Sequence, residues 1–319
     1  MFVGTSTFLP SGILYNVHVF RRVLDSCDDA PCWQWYSILP RTPTPVGDGA
    51  FGVSMEFDGR TLMVGDPGDF VSNTGRVLVY ELEAEQFVLK QELTVSTAEP
   101  SFGQTIALDG KQVAIATMNW PASGAIYLFK RQAGQWVHTE RVTTQNGELE
   151  QFGFSVDLRG KQLIVGANEG NYAVAFQRRG GEWREQRLTS PGTGSFGLGV
   201  EIRGKEAFVS AHGGASVSYF VRERGEWLLT DAFNLPPDTS SFPPSSPGGP
   251  VQMLGRRLFA AGFGGVYLFE PVHGEWTLTT HFVTPFRVGV GKEELMDVHR
   301  RWLAAIDGSN IYMFDLRSQ

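Results

Sequence analysis

This chain repeats itself, and that constrains its fold more than any other property of the sequence. Four segments align with few gaps: FGVSMEFDGRTLMVG from Phe51, FGQTIALDGKQVAIA from Phe102, FGFSVDLRGKQLIVG from Phe152 and FGLGVEIRGKEAFVS from Phe196. Their starts lie 51, 50 and 44 residues apart. Each is followed by a second block, such as GRVLVYELEAEQFVLKQELT or GAIYLFKRQAGQWVHTERVT. A fifth copy, MLGRRLFAAG then GVYLFEPVHGEWTLTTHF, has lost the Phe-Gly start. Partial copies close the chain at both ends: MFVGT, YNVHVFRR and WQWYSIL first, DVHRRWLAAIDGSNIYMFDL last. A repeat of this length is one supersecondary unit that cannot bury its apolar face alone and must stack on its neighbours.

Each complete unit spells four strands. Strand 1 follows Phe-Gly, and a tight turn at Asp58-Gly59, Asp109-Gly110, Arg159-Gly160 or Arg203-Gly204 leads to strand 2. The Asp-Gly pairs suggest two-residue hairpins with positive φ at both positions. Strand 3 carries one aromatic column: Phe20, Tyr80, Phe129, Phe176, Phe220, Phe269 and Phe314. A slip of one residue would turn these rings to the other face, so the column sets the register. Strand 4 opens after Gly-x-Trp. Strands 2 and 3 are apolar on both faces (LMV, LIV, VYLF), as in sheets sandwiched between neighbours. With 38 glycines in 319 residues and only 19% charged residues, the composition suits many short strands and tight turns. The expected fold is a single all-β domain, a seven-bladed β-propeller of four-stranded antiparallel blades, with six blades as the alternative. Its units span residues 1–40, 51–94, 102–143, 152–189, 196–234, 248–284 and 288–319. The first unit begins at strand 2 and the last stops after strand 3, giving 26 strands, two short of 28. Either residues 1–12 supply the missing strand, or coding sequence precedes Met1.

Phe-Gly followed some fourteen residues later by a Gly-Ala-like pair resembles the FG-GAP repeat of integrin α-chain propellers. The bacterial-type variant, with FG-x-S-V…G…VGA and Y-x-F…W, is the closer likeness. The resemblance implies a propeller used for extracellular recognition. Calcium-binding members carry an Asp-rich loop between strands 1 and 2. Here that loop has shrunk to a turn with one carboxylate or an Arg, and hard cations need six to eight converging oxygens. No metal and no cofactor are therefore expected.

The formal net charge of −7 and the lack of a Lys/Arg-rich run argue against nucleic-acid binding. No stretch approaches the ~18 apolar residues of a membrane span, and the N-terminus does not resemble a secretory signal. Cys27 and Cys32, in SCDDAPCW, form either a disulfide at a hairpin tip or two reduced thiols. A disulfide would suit an oxidising compartment, consistent with an extracellular or cell-surface setting although no signal peptide is visible. A monomer is expected.

Loops 2–3 and 4–1 share one rim, and there the repeats diverge: DPGDFVSNT, TMNWPAS, ANEGN, AHGGA, GFG and IDGSN for the 2–3 loops. Variable loops on a rigid scaffold are where binding residues concentrate. The candidate contacts are Asp66, Asp69, Asn73, Asn119, Trp120, Asn168, Glu169, Asn171, Tyr172, His212 and Asn310. Trp120 falls outside the strand columns and could stack on a sugar or anchor a protein. The Gly-x-Trp residues Trp136, Trp183, Trp227 and Trp276, with Trp33, repeat with the blades and suit packing as well as they suit sugar sites. Residues 236–250 are a Pro-rich insertion. No G-x-S-x-G, H-E-x-x-H or phosphate-cradling loop occurs. The expected function is accordingly a non-catalytic recognition or adhesion module that binds a protein partner through the divergent rim. A lectin-like propeller binding a glycan is the alternative, and an enzyme at the channel mouth stands third. An enzyme would need buried carboxylates with raised pKa values, and Asp66, Asp69, Glu169 and Asp307 are the acids that could converge.

Overall fold

The computed structural model describes residues 2–9, 12–23, 32–39, 51–68, 75–95, 99–118, 124–145, 151–192, 194–213, 216–236, 249–262, 265–284, 296–299, 302–307 and 310–317. Within them, 26 strands form seven antiparallel sheets. Five have four strands: β4–β7 (Met55–Phe57, Thr61–Asp66, Arg76–Glu83, Gln86–Leu93), β8–β11 (Thr105–Asp109, Gln112–Thr117, Ala125–Gln132, Gln135–Val142), β12–β15 (Phe152–Arg159, Gln162–Ala167, Tyr172–Arg179, Glu182–Leu188), β16–β19 (Gly194–Arg203, Glu206–Gly213, Ser216–Glu223, Glu226–Asn234) and β20–β23 (Val251–Leu254, Arg257–Gly262, Gly265–Val272, Glu275–Val283). The ends supply three strands each, β1–β3 (Phe2–Leu9, Gly12–Val23, Cys32–Ile38) and β24–β26 (Met296–His299, Trp302–Asp307, Asn310–Asp315). The fold is an all-β propeller. Five blades are complete, and the terminal strands, counted together as one incomplete unit, give the six-blade alternative.

Six apolar clusters hold the sheets together, each formed between two sequential sheets. The first strand of each complete blade lies against the first strand of the next, whereas the outer strands barely touch. The sheets therefore converge on an axis lined by strand 1. Strand 2 is buried along its whole length at β5 and β13, because both faces are covered. The Phe of Phe-Gly is buried at Phe51, Phe102, Phe152 and Phe196. It meets the strand 3 column ring of its own blade, Phe152 on Phe176 at 6.1 Å and Phe196 on Phe220 at 6.2 Å, in edge-on geometry. Where Phe-Gly is lost in the fifth unit, Phe233 from the preceding blade packs on Phe269 at 4.6 Å. In five sheets a bulge in the strand 3–4 pairing falls immediately before the column ring.

The turns correct one expectation. The strand 1–2 loops are Gly110-Lys111, Gly160-Lys161, Gly204-Lys205 and Gly255-Arg256, because Asp109 pairs with Gln112, Arg159 with Gln162, Arg203 with Glu206 and Leu254 with Arg257. Only the glycine has positive φ, near +60°, which is the type II′ pattern. Positive φ at both positions belongs to the strand 3–4 turns, as at Ala133-Gly134 and Gly180-Gly181. Those are the type I′ hairpins.

The Phe-Gly glycine has a second duty. Gly103, Gly153 and Gly197 sit at φ +93°, +100° and +95°, and their carbonyls face the preceding blade. Ser54 donates its hydroxyl to the Gly103 carbonyl at 2.8 Å, and Ser155 donates to the Gly197 carbonyl at 2.9 Å. Thr105 donates to the Phe154 carbonyl at 3.0 Å and more weakly to that of Gly153. The residue paired with the hydroxyl must then be small. A Cβ on Gly65 would lie 2.1 Å from the Gly103 oxygen, and one on Gly166 would lie 2.0 Å from the Gly197 oxygen. In the fourth repeat the pair is inverted: Gly199 takes the serine position, and Ser210 on the facing strand donates to the Gly249 carbonyl at 2.6 Å.

Gly166→Ala should therefore destabilise the protein by about 3 kcal/mol or more, because the obstruction is backbone and cannot swing aside. Gly160→Ala, at a turn with nothing within 4 Å of the added methyl, should cost only the left-handed strain of about 1–2 kcal/mol. Urea unfolding of the two variants tests this. Equal losses would mean that the contact between blades is not what requires glycine.

Candidate active site

Strand 1 of each blade is a sheet edge, paired on one side only. Its outward N–H groups lack ladder partners and must find acceptors elsewhere. The preceding blade supplies them from the middle of its own strand 1. Asp157 on β12 accepts the Ile202 N–H at 2.8 Å with one oxygen, and the other accepts the Leu158 N–H at 2.8 Å. Glu201 on β16 accepts the Met253 N–H, and Gln252 on β20 accepts the Val298 N–H at 2.8 Å. Asp157 and Glu201 thus occupy equivalent positions on adjacent inner strands. Both are almost fully buried, at 6% and 4% exposure.

Arg159 joins them. Its Nη2 lies 3.5 Å from Asp157 Oδ1 and 3.8 Å from Glu201 Oε1, with the guanidinium side chain 42% exposed. Burial raises the Asp157 carboxyl above its ordinary 3.8, while Arg159 and the Ile202 and Leu158 N–H groups pull it back. Glu201 is pushed well above 4.5, first by burial and then by the Asp157 charge, against the opposing Arg159, Arg203 and Met253 N–H. For Arg159, burial works against its charge. Asp157, Glu201, Glu56 and Asp109 outweigh that, so its pKa moves up. Neighbouring acids whose environments separate their proton affinities provide an acid and a base at one place. Glu201 is the better proton holder. Asp157, with two backbone donors, is the better carboxylate.

The described residues among those expected at the divergent rim lie in the 2–3 loops or at the strand ends that border them. Asp66 ends strand β5, is buried, and pairs with Arg76 at 2.8 Å, which also reaches Glu92 at 3.0 Å. Tyr172 opens strand β14, fully buried, with the Arg187 guanidinium 3.8 Å over its ring. Asn171, at φ +57°, accepts the Phe196 N–H at 2.9 Å and so ties its loop to the next blade. Asn168 lies beside it with a buried Oδ1. Glu169 is exposed and accepts from Gln151, and His212 is exposed at the end of β17. Asp69, Asn73, Asn119, Trp120 and Cys27 lie outside the described residues, as do the side chains of Asn310, Asp307 and Cys32 and most of the Pro-rich insertion. The Gly-x-Trp tryptophans Trp136, Trp183, Trp227 and Trp276 are packed against apolar clusters. Trp136 and Trp227 are buried, and their backbones are clamped by Gln91 and Gln186 of the preceding blades at 2.7–2.8 Å.

The acid pair was missed although its column is visible in the alignment: Glu56, Ala107, Asp157 and Glu201 occupy one place, each between apolar residues. A carboxylate at the centre of a strand that turns its flanking residues into a core is an expensive choice. That cost was the available signal. Among the described residues no group of His, Cys, Asp and Glu has the geometry of a metal site, and no helix is long and apolar enough to cross a membrane.

No protein-family model matches the chain, and no curated protein does. Many solved structures share its fold. The periplasmic gluconolactonase PpgL of Pseudomonas aeruginosa superposes with a TM-score of 0.64 at 15% identity, covering 98% of this chain and 91% of that one. A Bacteroides uniformis protein provisionally named a 6-phosphogluconolactonase gives 0.61 at 12%, covering 94% and 92%. The Swd1 β-propeller domain of Myceliophteria thermophila gives 0.60 at 13%, covering 99% of both chains. At such identities the likeness shows the fold alone. It supports the propeller and not the FG-GAP assignment. The expectation of a non-catalytic recognition or adhesion module, with its lectin-like alternative, is overturned. Neighbours that superpose over nearly the whole chain include proteins named as lactonases.

Because the folded carboxyls bind protons more tightly than the unfolded chain, they lower stability as pH rises from about 4.5 through their raised values. Glu201→Gln keeps an acceptor for the Met253 N–H and removes the proton. Its unfolding free energy should fall less between pH 4.5 and 8 than that of the wild type, every tenfold gain in proton affinity on folding being worth about 1.4 kcal/mol. Parallel pH profiles from urea titrations would contradict the raised pKa.

Proposed function

We propose that this chain is a hydrolase that opens a lactone ring at the Asp157–Arg159–Glu201 cluster. The observation that carries the reading is the pair of buried carboxyls sharing one partly exposed guanidinium, with burial raising Glu201 further than Asp157. The lactonase names among the structural neighbours supply the reaction class. In the proposed step, the Asp157 carboxylate takes a proton from water as the water oxygen bonds to the lactone carbonyl carbon. Arg159 steadies the negative charge that develops on the carbonyl oxygen. The bond from that carbon to the ring oxygen then breaks, and Glu201 gives its proton to the departing oxygen. The product is the open hydroxy acid, and no other reactant is needed.

Two further inferences go with this reading. Kinship with FG-GAP propellers is supported by the contact that the Phe-Gly carbonyl makes between blades. An exported setting is supported by a neighbour named as periplasmic and by the Cys27 and Cys32 pair.

Purified protein should hydrolyse glucono-1,5-lactone above the spontaneous rate in a pH-stat assay. Asp157→Asn and Glu201→Gln should each lower kcat/KM by about 10²–10⁴-fold in protein that circular dichroism shows to be folded at the assay pH. Glu169→Gln, on the other rim, should behave as wild type. Full activity in both acid variants would defeat the proposal.

A further inference from the structure

The strand 1–2 turns carry a feature that the cluster itself does not use. The second turn residue is a cation in five successive blades: Arg60, Lys111, Lys161, Lys205 and Arg256. All five are exposed. Arg60 reaches Glu81 at 3.3 Å, whereas the other four have no side-chain ion pair with a described residue. Their backbones are fixed. The carbonyls of Arg60, Lys111, Lys161 and Lys205 accept the N–H groups of Leu82, Arg131, Arg178 and Arg222 on strand 3 at 2.8–2.9 Å. Lys161 follows Arg159 by two residues, and Lys205 stands in the same relation to Arg203, so the ring of cations lies at the end of the axis where the acid pair sits. This is notable in a chain of net charge −7. The sequence shows no basic run, because the cations are some fifty residues apart and the fold alone gathers them.

We infer that the cationic ring selects an anionic substrate, a lactone bearing a phosphate or a second carboxylate, over a neutral one. This rests on the lactonase reading of the same end of the axis. Fixed charges of one sign around an entrance raise the local concentration of the opposite charge and speed encounter, an effect that salt screens.

The test compares kcat/KM for 6-phosphoglucono-1,5-lactone and glucono-1,5-lactone, the neutral lactone serving as the internal reference for each variant. Wild type should favour the phosphorylated lactone by about tenfold or more at low salt. That ratio should shrink in 0.5 M NaCl and in the triple variant Lys111→Gln, Lys161→Gln, Lys205→Gln, whose exposed substitutions should leave the unfolding midpoint in place. A ratio at or below one, or a ratio indifferent to both salt and the triple variant, overturns the inference and leaves the lactonase reading standing. Turnover of neither lactone defeats the reading instead, and the ring is then judged by pyrophosphate titration in a calorimeter. Binding that is lost in the triple variant upholds an anion site there, and no binding by wild type overturns it.

Discussion

An inner strand with one open edge is the constraint that the rest of this molecule answers to. Every complete blade ends at the axis in a strand whose outward donors and acceptors have no ladder partner. The neighbouring blade must provide them, and it does so in two ways. Hydroxyls at Ser54, Ser155 and Ser210 reach carbonyls across the gap, and acceptors at Asp157, Glu201 and Gln252 take N–H groups from the next strand. The exchange of Ser and Gly between positions 199 and 210 shows how specific the first requirement is. At the pairs 54/65, 155/166 and 199/210 one position carries a serine hydroxyl and the other is glycine, and which strand carries which is secondary.

The chemistry follows from the second requirement. An amide at position 252 meets the need for an acceptor without charge. Aspartate and glutamate at 157 and 201 meet it with groups that burial then persuades to keep protons, and Arg159 keeps them from being wholly neutral. In the proposed reading a structural acceptor is thereby turned into an acid–base pair, on a framework packed by six apolar clusters. The same geometry gathers the turn cations at that end of the axis, since the inner strand of each complete blade leads into a Gly-Lys or Gly-Arg turn.

Most of the fold was legible because its determinants recur at fixed spacing. The aromatic column, the apolar runs of strands 2 and 3, and the truncated terminal units all repeat, and each corresponds to an observed strand. The turns were legible in kind but not in position. Asp109-Gly110 suggests a hairpin, yet only the pairing of Asp109 with Gln112 shows that the aspartate belongs to the strand. The site was far less legible. Asp66 looks like the start of a loop, and its partner Arg76 lies across the sheet, where register and not sequence distance brings it near. Tyr172 follows a glycine-rich loop but is the first residue of a buried strand. The divergent rim drew attention because variation is conspicuous. The acid pair lay in a regular strand, where two carboxylates 44 residues apart become neighbours only when adjacent blades close on each other.

The proposed chemistry stands or falls on whether Glu201 holds a proton in the folded protein at a pH where Asp157 has given its own up. Carbon-13 NMR titration of carboxyl-labelled Asp and Glu, with Asp157→Asn and Glu201→Gln for assignment, measures this directly. The Glu201 carboxyl should titrate well above 4.5, and its titration should move down toward that value in Asp157→Asn, where the neighbouring negative charge is gone. Both carboxyls titrating in the ordinary range, unmoved by loss of the other, would contradict the acid–base assignment.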